Sequence, residues 1–389
     1  MAYISSKDNR FYVAIEQSYG QAAASGALNR IPAVKLTTQQ ERERTNRKDK
    51  TGSRTFAGFP AGGRRTTTFE LQTYMRDWSD PSKEPGYGPL FQACLGRPAA
   101  MSGPLSVSSV ASPNRVMFGT PHGLTPGQAV AYGADLRFVV AVVDDHSVQL
   151  NAPFSAPVAS GAMTGPTATY LPSSDLSSAT IFDAWSPGTA VQRLIYGAAV
   201  DQLQIGVNGD FHTFQFSGPA CDVADSASFQ QGQGGLNAFP AEPVLATYDY
   251  SIIPGHLGQV WLGSAPDQFF TLTAATVKVT NQANLRDHEF GSTYARGMSA
   301  GMRSIEVDFS IYQQDDTQTK ALYQAARQES PISAMIQLGQ QPGQLAGIYL
   351  QDLMLTTPAF DDGEDRQQWI FKNCRAQGIS DDEISIAFG

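Results

Sequence analysis

One segment near the start of the chain recurs near its end in the same order. Residues 34–39 (VKLTTQ) match residues 277–282 (VKVTNQ), and residues 61–74 match residues 300–312 through a glycine–arginine pair that leads into alternating apolar positions. A repeat that keeps its internal order predicts one structural unit present twice. Such a chain has internal symmetry, which is typical of ring-forming proteins rather than of enzymes with a single active site.

The spacing inside each copy supports this interpretation. Thirty positions separate Lys35 from Arg65, whereas 25 separate Lys278 from Arg303. The first copy therefore has a loop that is five residues longer. Length differences between duplicated units are expected in loops, so the order of the matched segments is kept.

Further matches follow each repeated segment. Both copies continue into a short helical pattern, at residues 89–95 and 319–326. Later apolar positions match more weakly: Val200, Leu203, Ile205, Phe214 and Phe216 in the first copy correspond to Leu350, Leu353, Leu355, Trp369 and Phe371 in the second. The second half of each unit is therefore expected to consist of core-facing strands.

One large difference in length separates the copies. Tyr74 and Val200 are 126 positions apart, whereas Tyr312 and Leu350 are 38 apart, so the first copy carries 88 additional residues. That length is sufficient for a small domain. Residues 101–171 alternate short β patterns with turn clusters, which predicts a β-sandwich-like decoration of the first copy.

The predicted organisation is mainly β, with two tandem β-sandwich or barrel units, each with a short helix, and one small inserted β domain. The boundaries are residues 1–100 for the first part of unit one, 101–171 for the insert, 172–228 for the rest of unit one, 229–243 for a linker and 244–389 for unit two. The Gly/Gln-rich composition of the linker predicts a flexible connector between the units, with a contact strap to an adjacent ring as the alternative.

Composition agrees with this organisation and limits the function. Only 16% of residues are charged, with 36 glycines and 23 prolines, which is typical of short strands joined by tight turns. The net charge of −9 argues against a protein that grips DNA through a basic face. Neither a signal peptide nor a membrane-spanning segment is predicted, so we expect a soluble chain made in a cytoplasm.

The sequence contains no recognisable catalytic or metal-binding motif. The five histidines lack zinc-ligand spacing, the three cysteines lack a CxxC pair, and no phosphate-binding glycine loop is present. The acidic segment at residues 361–365 predicts a hairpin tip rather than a calcium loop, because the alternating EF-hand ligands are missing. No enzyme activity, cofactor or metal is therefore predicted. A carbohydrate-binding or carbohydrate-hydrolysing protein with Trp185 and Trp261 as platforms remains an alternative.

Both copies of the repeated strand have one polar and one apolar face, because side chains alternate along a strand. The apolar face of the first copy carries Phe69 and Leu71. The polar face carries Thr66, Thr68, Glu70 and Gln72 in the first copy and Ser304, Glu306, Asp308 and Ser310 in the second. This mildly acidic face is either a solvated outer surface or the lining of a channel from which phosphates are repelled.

These features together resemble the long-tail tube proteins of siphovirus-type bacteriophages. The resemblance rests on an N-terminal strand at residues 11–16, the VKLT strand, a long charged loop, the Gly-Arg-initiated strand at residues 63–74 and a short helix. In that family the loops contact the next stacked ring, and neighbouring subunits join their strands into one barrel. The resemblance assigns this loop role to Glu41, Arg42, Arg44, Arg47 and Lys48 in the first copy and to Asp287 and His288 in the second.

The resemblance also implies an assembly. Family members with one unit form six-membered rings, so a chain with two units implies a homotrimeric, pseudo-hexameric ring with the polar face toward the channel. Its implied partners are further copies of itself, the tape-measure protein, tail terminator or tip proteins, and viral DNA that passes through without specific binding. The implied location is the virion tail, assembled in the host cytoplasm. A different ring-forming tail component or a secretion tube is the remaining alternative.

Overall fold

The structure is a computed structural model that describes residues 3–56, 58–78, 80–244, 251–263, 267–269, 271–363 and 365–389. Strands dominate these residues, and the only α-helices described are two short ones, which confirms the mainly β prediction. The helices lie at Gly88–Leu95 and Thr317–Arg327, where the sequence predicts them. Short 3₁₀ segments lie at Ser6–Asp8, Ala27–Asn29 and Gln233–Gly235.

The first part of unit one contains β1 Asn9–Ile15, β2 Arg30–Ile31, β3 Ala33–Arg42, β4 Arg65–Tyr74 and α1 Gly88–Leu95. The insert and its stem contain β5 Ala100–Ser102, β6 Val107–Ser112, β7 Arg115–Phe118, β8 Ala129–Tyr132, β9 Asp135–Asp144, β10 Ser147–Leu150 and β11 Thr167–Tyr170. The rest of unit one contains β12 Ala179–Trp185, β13 Arg193–Ala198, β14 Gln202–Val207, β15 Thr213–Ala220 and β16 Asp222–Asp225. Unit two contains β17 Gly258–Gly263, β18 Asp267–Phe269, β19 Leu272–Thr280, β20 Asn284–Leu285, β21 Met298–Ser299, β22 Ser304–Tyr312, α2 Thr317–Arg327, β23 Ile332–Leu338, β24 Ala346–Met354, β25 Ala359–Asp361, β26 Gln368–Gln377 and β27 Ser385–Phe388.

Eight strands from the two units form one continuous antiparallel run, which we call the shared sheet. Its order is β24-β26-β22-β19 from unit two, followed by β14-β15-β4-β3 from unit one. The matched strands occupy the same places in each half: β24 corresponds to β14, β26 to β15, β22 to β4 and β19 to β3. The two halves therefore follow each other head to tail, joined where β19 pairs with β14.

A second sheet lies behind each half of the shared sheet, and we call these the back sheets. In unit one the order is β16-β13-β12-β1-β2. In unit two the pairings give β27-β24-β23-β17-β18, where the first half of β24 takes the place of β13. The strand orders of the two units are thus similar, except that the unit-two back strands continue through β24 into the shared sheet, whereas the unit-one back sheet is separate.

The core lies between the shared sheet and the back sheets and runs through both units without a break. The matched apolar residues of the later strands, including Leu203, Phe216, Leu353 and Phe371, are all buried in it. The helix α1 adds Phe91, whose ring lies within 5.3 Å of the Phe216 ring, measured between centroids. Continuous burial across the β19–β14 junction makes the two units one folding body.

The insert packs against unit two, although the sequence predicts a decoration of unit one. Residues of β8 and β9 cover the outer face of the unit-two back sheet, with Phe138 stacked 5.3 Å from Tyr349. The stem strand β11 also pairs with β27. Arg137 is fully buried at this interface, 3.2 Å from Asp135 and 5.0 Å above the Trp261 ring. This contact was not predictable from the sequence, because an arginine in a β pattern is normally exposed.

The connector packs against the outer face of the unit-one back sheet. Phe229, Leu236 and Phe239 contact its apolar cluster. Glu242 accepts hydrogen bonds from Arg10 Nε at 2.5 Å and from Tyr12 Oη at 2.9 Å. The composition predicts a flexible connector, but its aromatic residues and this ion pair hold residues 229–242 in place. The predicted start of unit two, at residue 244, directly precedes residues 245–250, which are outside the description.

Candidate assembly surface

The predicted polar face is exposed along the shared sheet. In β4 the burial alternates strictly, so Thr66, Thr68 and Glu70 are exposed while Phe69 and Leu71 are buried. In β22 the same alternation leaves Asp308 exposed and Ser304, Glu306 and Ser310 half-buried, and Gln72 of β4 is half-buried as well. All eight predicted residues thus lie on the side of the sheet that faces away from the core. Whether this side lines a channel stays a prediction.

Basic residues share this face with the acidic ones. The register places Glu306 between Lys278 of β19 and Arg375 of β26, and Arg375 Nη2 lies 3.4 Å from Glu306 Oε1. Lys35 of β3 lies opposite Gln72. The face is therefore polar with both signs of charge rather than acidic. The expectation of an acidic surface rested on β4 and β22 alone. Lys278, Arg375 and Lys35 lie on neighbouring strands, and their positions follow only from the strand pairing.

The glycine–arginine motif has a structural role in both units. Arg65 at the start of β4 lies 2.9 Å from Asp222 at the start of β16. Arg303, just before β22, lies 2.5 Å from Glu383, just before β27. Each arginine thus joins the shared sheet to the back sheet of its own unit. The sequence showed the repeat of the arginine but not its acidic partner.

One edge of the shared sheet is open. Among the described residues β3 pairs only with β4, and no strand lies on its other side. Its counterpart β19 is covered on both sides, by β22 and β14. The difference appears in the exposure of apolar side chains, because Val277 of β19 is 0% exposed and Val34 of β3 is 45% exposed. Val34 lies on the open edge, at the register irregularity between Ala33 and Lys35.

The opposite edge is open at the end of β24. On one side of β24, Asp352–Met354 pair with β26. On its other side, the pairing with β23 ends at Leu353. In the described structure no strand covers residues 354–357 on that side. β25 continues this edge, because Ala359–Asp361 pair with β26 where Gln204–Gly206 of β14 pair with β15. In β14 the same residues are also paired with β19. The chain therefore exposes both halves of the junction that it forms internally.

The predicted loop residues meet at one end of the shared sheet. Glu41 and Arg42 complete β3, and Arg44, Arg47 and Lys48 lie in the exposed loop that follows. This loop lies beside the shorter loop that contains Asp287 and His288, since Arg64 Nη2 donates to the His288 carbonyl at 3.3 Å and Arg65 N donates to the Thr293 carbonyl at 2.8 Å. The structure thus places the two loops side by side, through contacts made by Arg64 and Arg65.

The structure gives little support to the other candidate binding sites. Trp261 is 8% exposed beneath Arg137, so it offers no platform for a sugar. Cys94, Cys221 and Cys374 are buried as free thiols, and burial raises the pKa of Cys94 and Cys221 to about 12. Within the described ranges, no three His, Cys, Asp or Glu side chains converge as a metal site. None of the described helices is long and apolar enough to span a membrane.

Comparison with known proteins adds no family assignment. No protein-family model matches this chain, and no curated protein matches it at a significant level.

Proposed function

We propose that this protein is a structural subunit of a phage tail tube and that it assembles into rings of three chains. The observation that carries the proposal is the β19–β14 junction inside the chain, together with the two open edges that match it. An edge strand presents unpaired backbone N–H and C=O groups and is a template for a further strand. In strand order, β3 of one copy has the place of β19, and the edge formed by the end of β24 and by β25 in the next copy has the place of β14.

The internal junction fixes the register of the proposed contact. Lys278 lies opposite Gln204, and Val277 lies opposite Ile205. The pairings with the neighbouring strands carry this register over: Thr38 lies opposite Phe69 as Val277 lies opposite Val307, and Phe360 of β25 lies opposite Trp369 as Ile205 lies opposite Phe214. Thr38 of one copy would therefore lie opposite Phe360 of the next, which removes an exposed aromatic ring from water.

This contact is heterologous, because two different edges meet. Heterologous contacts close into rings when the rotation between units divides a full turn. The two units of one chain already make one such step, and six steps need three chains. Six units that each contribute four strands give a barrel of 24 strands. At a strand spacing of about 4.8 Å its circumference is on the order of 115 Å, and strand tilt widens it further.

A barrel of this size encloses an aqueous channel. Barrels of about 16–18 strands already leave a water-filled lumen. The mixed, hydrogen-bonded polar face would line it, with Glu70 bound to Gln215 at 2.8 Å and Glu306 beside Lys278 and Arg375. Arg375 lies 3.4 Å from Glu306, Lys278 lies opposite the same glutamate, and Lys35 lies opposite Gln72. These cations are scattered among neutral and acidic side chains and form no continuous basic row to hold phosphates, so DNA would pass without binding. The tape-measure protein would occupy the lumen before DNA, and tail terminator or tip proteins would close the ends.

Electron microscopy of the purified protein tests the proposal. We expect rings or filaments with a central hole at high protein concentration, together with unassembled chains. A protein that stays monodisperse and monomeric under all concentrations, salts and crowding agents would contradict the assembly function. In that case the open edges of β3 and β24 would need another explanation.

A further inference from the structure

A loop of unit two lies over the arginine junction of unit one, which is the Arg65–Asp222 ion pair. Arg65 N donates to the Thr293 carbonyl at 2.8 Å, and Cys221 Sγ donates to the Ala295 carbonyl at 3.2 Å. Ala295 is 3% exposed. Residues 293–296 also form one wall of a cavity of about 600 Å³ at this junction. We call residues 291–296 the covering segment.

The matching junction of unit two, the Arg303–Glu383 ion pair, also borders a cavity, of about 680 Å³. No aromatic residue is among the described residues that line it. Met302 and Ile379 do line it, and they are 78% and 97% exposed. Met302 has the sequence place of Arg64, whose Nη2 donates to the carbonyl of residue 288 in the unit-two loop. Two large apolar side chains therefore lie in water at a junction whose counterpart is covered.

The sequence of the covering segment recurs in unit one. Residues 291–295 (GSTYA) match residues 52–57 (GSRTFA), with one additional residue in the second segment. Thr293 and Thr55 each lie ten positions before the arginine of their unit, so Phe56 corresponds to Tyr294. Phe56 is 65% exposed. Unit one thus has a copy of the covering segment, and its aromatic ring lies mostly in water.

The proposed ring would bring this copy to the uncovered junction. Within the chain, β19 pairs with β14, and the loop that follows β19 lies over the junction of the unit that contains β14. In the ring, β3 of one copy pairs with the β24–β25 edge of the next. The loop that follows β3 therefore has the same relation to the unit-two junction of that copy, because equivalent contacts repeat around a closed ring.

The cavity and the loop also match in chemistry. The charged residues that line the cavity are Arg303, Asp381 and Glu383, which gives one excess negative charge. Residues 43–64 contain six basic and two acidic residues. Opposite charges favour the correct partner, and a methionine such as Met302 packs favourably against an aromatic ring.

We infer that Thr55 and Phe56 of one chain cover the Arg303–Glu383 junction of the neighbouring chain in the same ring. The Thr55 carbonyl accepts a hydrogen bond from Arg303 N, and the Phe56 ring lies against Met302. The inference rests on the proposed function, since it requires rings, and it adds a second lateral contact beside the paired strands. It differs in partner and in residues from the contact with the next stacked ring, which the resemblance assigns to residues 41–48.

Removal of the aromatic ring is the first test. We expect Phe56→Ser to stay folded by circular dichroism and to need about tenfold more protein than the wild type to form rings, because an aromatic anchor is lost from the contact. The matched control is Phe290→Ser, at a fully exposed aromatic residue of the unit-two loop that has no counterpart in this contact. Rings formed by Phe56→Ser at wild-type concentrations would overturn the inference.

Disulfide trapping identifies the partner. Thr55→Cys with Met302→Cys, oxidised under ring-forming conditions, should give covalent dimers and trimers on a non-reducing gel. Thr293→Cys with Arg64→Cys is the matched pair inside one chain and should close without joining chains, because Arg65 N already bonds to the Thr293 carbonyl.

A third pair distinguishes the neighbouring chain from the next stacked ring. Phe211 is 42% exposed just before β15, at the end of the shared sheet opposite to Arg65. Thr55→Cys with Phe211→Cys should therefore give no link between chains of one ring. Links from this pair alone, or rings in which the Thr55–Met302 pair never links, would overturn the inference. Wild-type protein without rings would instead contradict the proposed function.

Discussion

Arg137 joins the insert to unit two through Gln259, Gln337 and the Trp261 ring. Its guanidinium is fully buried and donates to the Pro153 carbonyl at 2.7 Å and to Gln259 Oε1 at 3.2 Å, beside Asp135. Burial lowers its pKa, which reflects the free energy lost when the cation leaves water. The ion pair and its hydrogen bonds offset that loss only while both partners are present.

Replacement of Arg137 is therefore expected to cost stability. Arg137→Met leaves the buried Asp135 without its cation, and we expect a loss of about 3–5 kcal/mol in the free energy of unfolding, measured by urea denaturation. Adding Asp135→Asn to this variant should recover part of the loss. Arg115→Met, at a more exposed arginine of the same insert, is the control. An Arg137→Met loss no larger than that of the control would contradict this role.

The three cysteines are expected to be unreactive in the folded protein. The thiolate is the reactive form, and burial raises the pKa of Cys94 and Cys221 to about 12 and also raises that of Cys374. At pH 8 we expect no thiol to react with Ellman's reagent until denaturant is added, when all three react. Stoichiometric labelling of one thiol in the native protein, at the rate of the unfolded chain, would contradict their placement in the core.

At the level of elements, a substitution in the edge strand β3 tests its proposed role in assembly. Val34→Asp changes a side chain that is 45% exposed in the single chain, so the fold should be kept. In the proposed ring β3 pairs with the edge of the neighbouring copy, and a carboxylate on β3 would be removed from water without a partner. We expect a folded monomer that forms no rings, measured by circular dichroism and electron microscopy.

Val191→Asp is the matched control for this prediction. Val191 is 51% exposed in the turn between β12 and β13, away from both open edges. This variant should form rings as the wild type does. Rings formed equally well by Val34→Asp would show that β3 is not an assembly edge.

Much of the element pattern could be predicted from the sequence, for physical reasons. Strict alternation in residues 66–73 and 304–311 fixes which side chains face the core, because a strand shows opposite faces at successive residues. The two helices follow from short apolar patterns that begin after Pro89 and Asp316, and Asp316 accepts a hydrogen bond from Thr319 N at the start of α2. These signals are local and are visible without partners.

Contacts between distant segments could not be predicted in the same way. The position of Lys278 and Arg375 beside Glu306 depends on strand order, which local alternation does not encode. The packing of the insert on unit two depends on the buried Arg137 and on Trp261. From the sequence alone, Trp261 could equally be an exposed platform for a carbohydrate. Both outcomes are decided by tertiary packing, which overrides local preference.

At the level of the whole molecule, the polar face is expected to control passage rather than assembly. Glu70→Lys with Asp308→Lys adds free cations to the face that would line the channel, where they would hold DNA phosphates. Because both side chains point away from the core, tube assembly should be largely kept, while DNA release from virions becomes slower. The control is Asp145→Lys with Asp175→Lys, two exposed aspartates outside the shared sheet. DNA release at the wild-type rate by the first variant would refute the channel-lining assignment.

The central claim is that one chain supplies two of six equivalent positions. A projection average of the assembled tube, viewed down its axis, measures this directly. We predict a ring with six similar wedges around a central hole and three outer protrusions from the inserts, which corresponds to three chains. Six protrusions, or a ring whose wedges do not number six, would contradict the account.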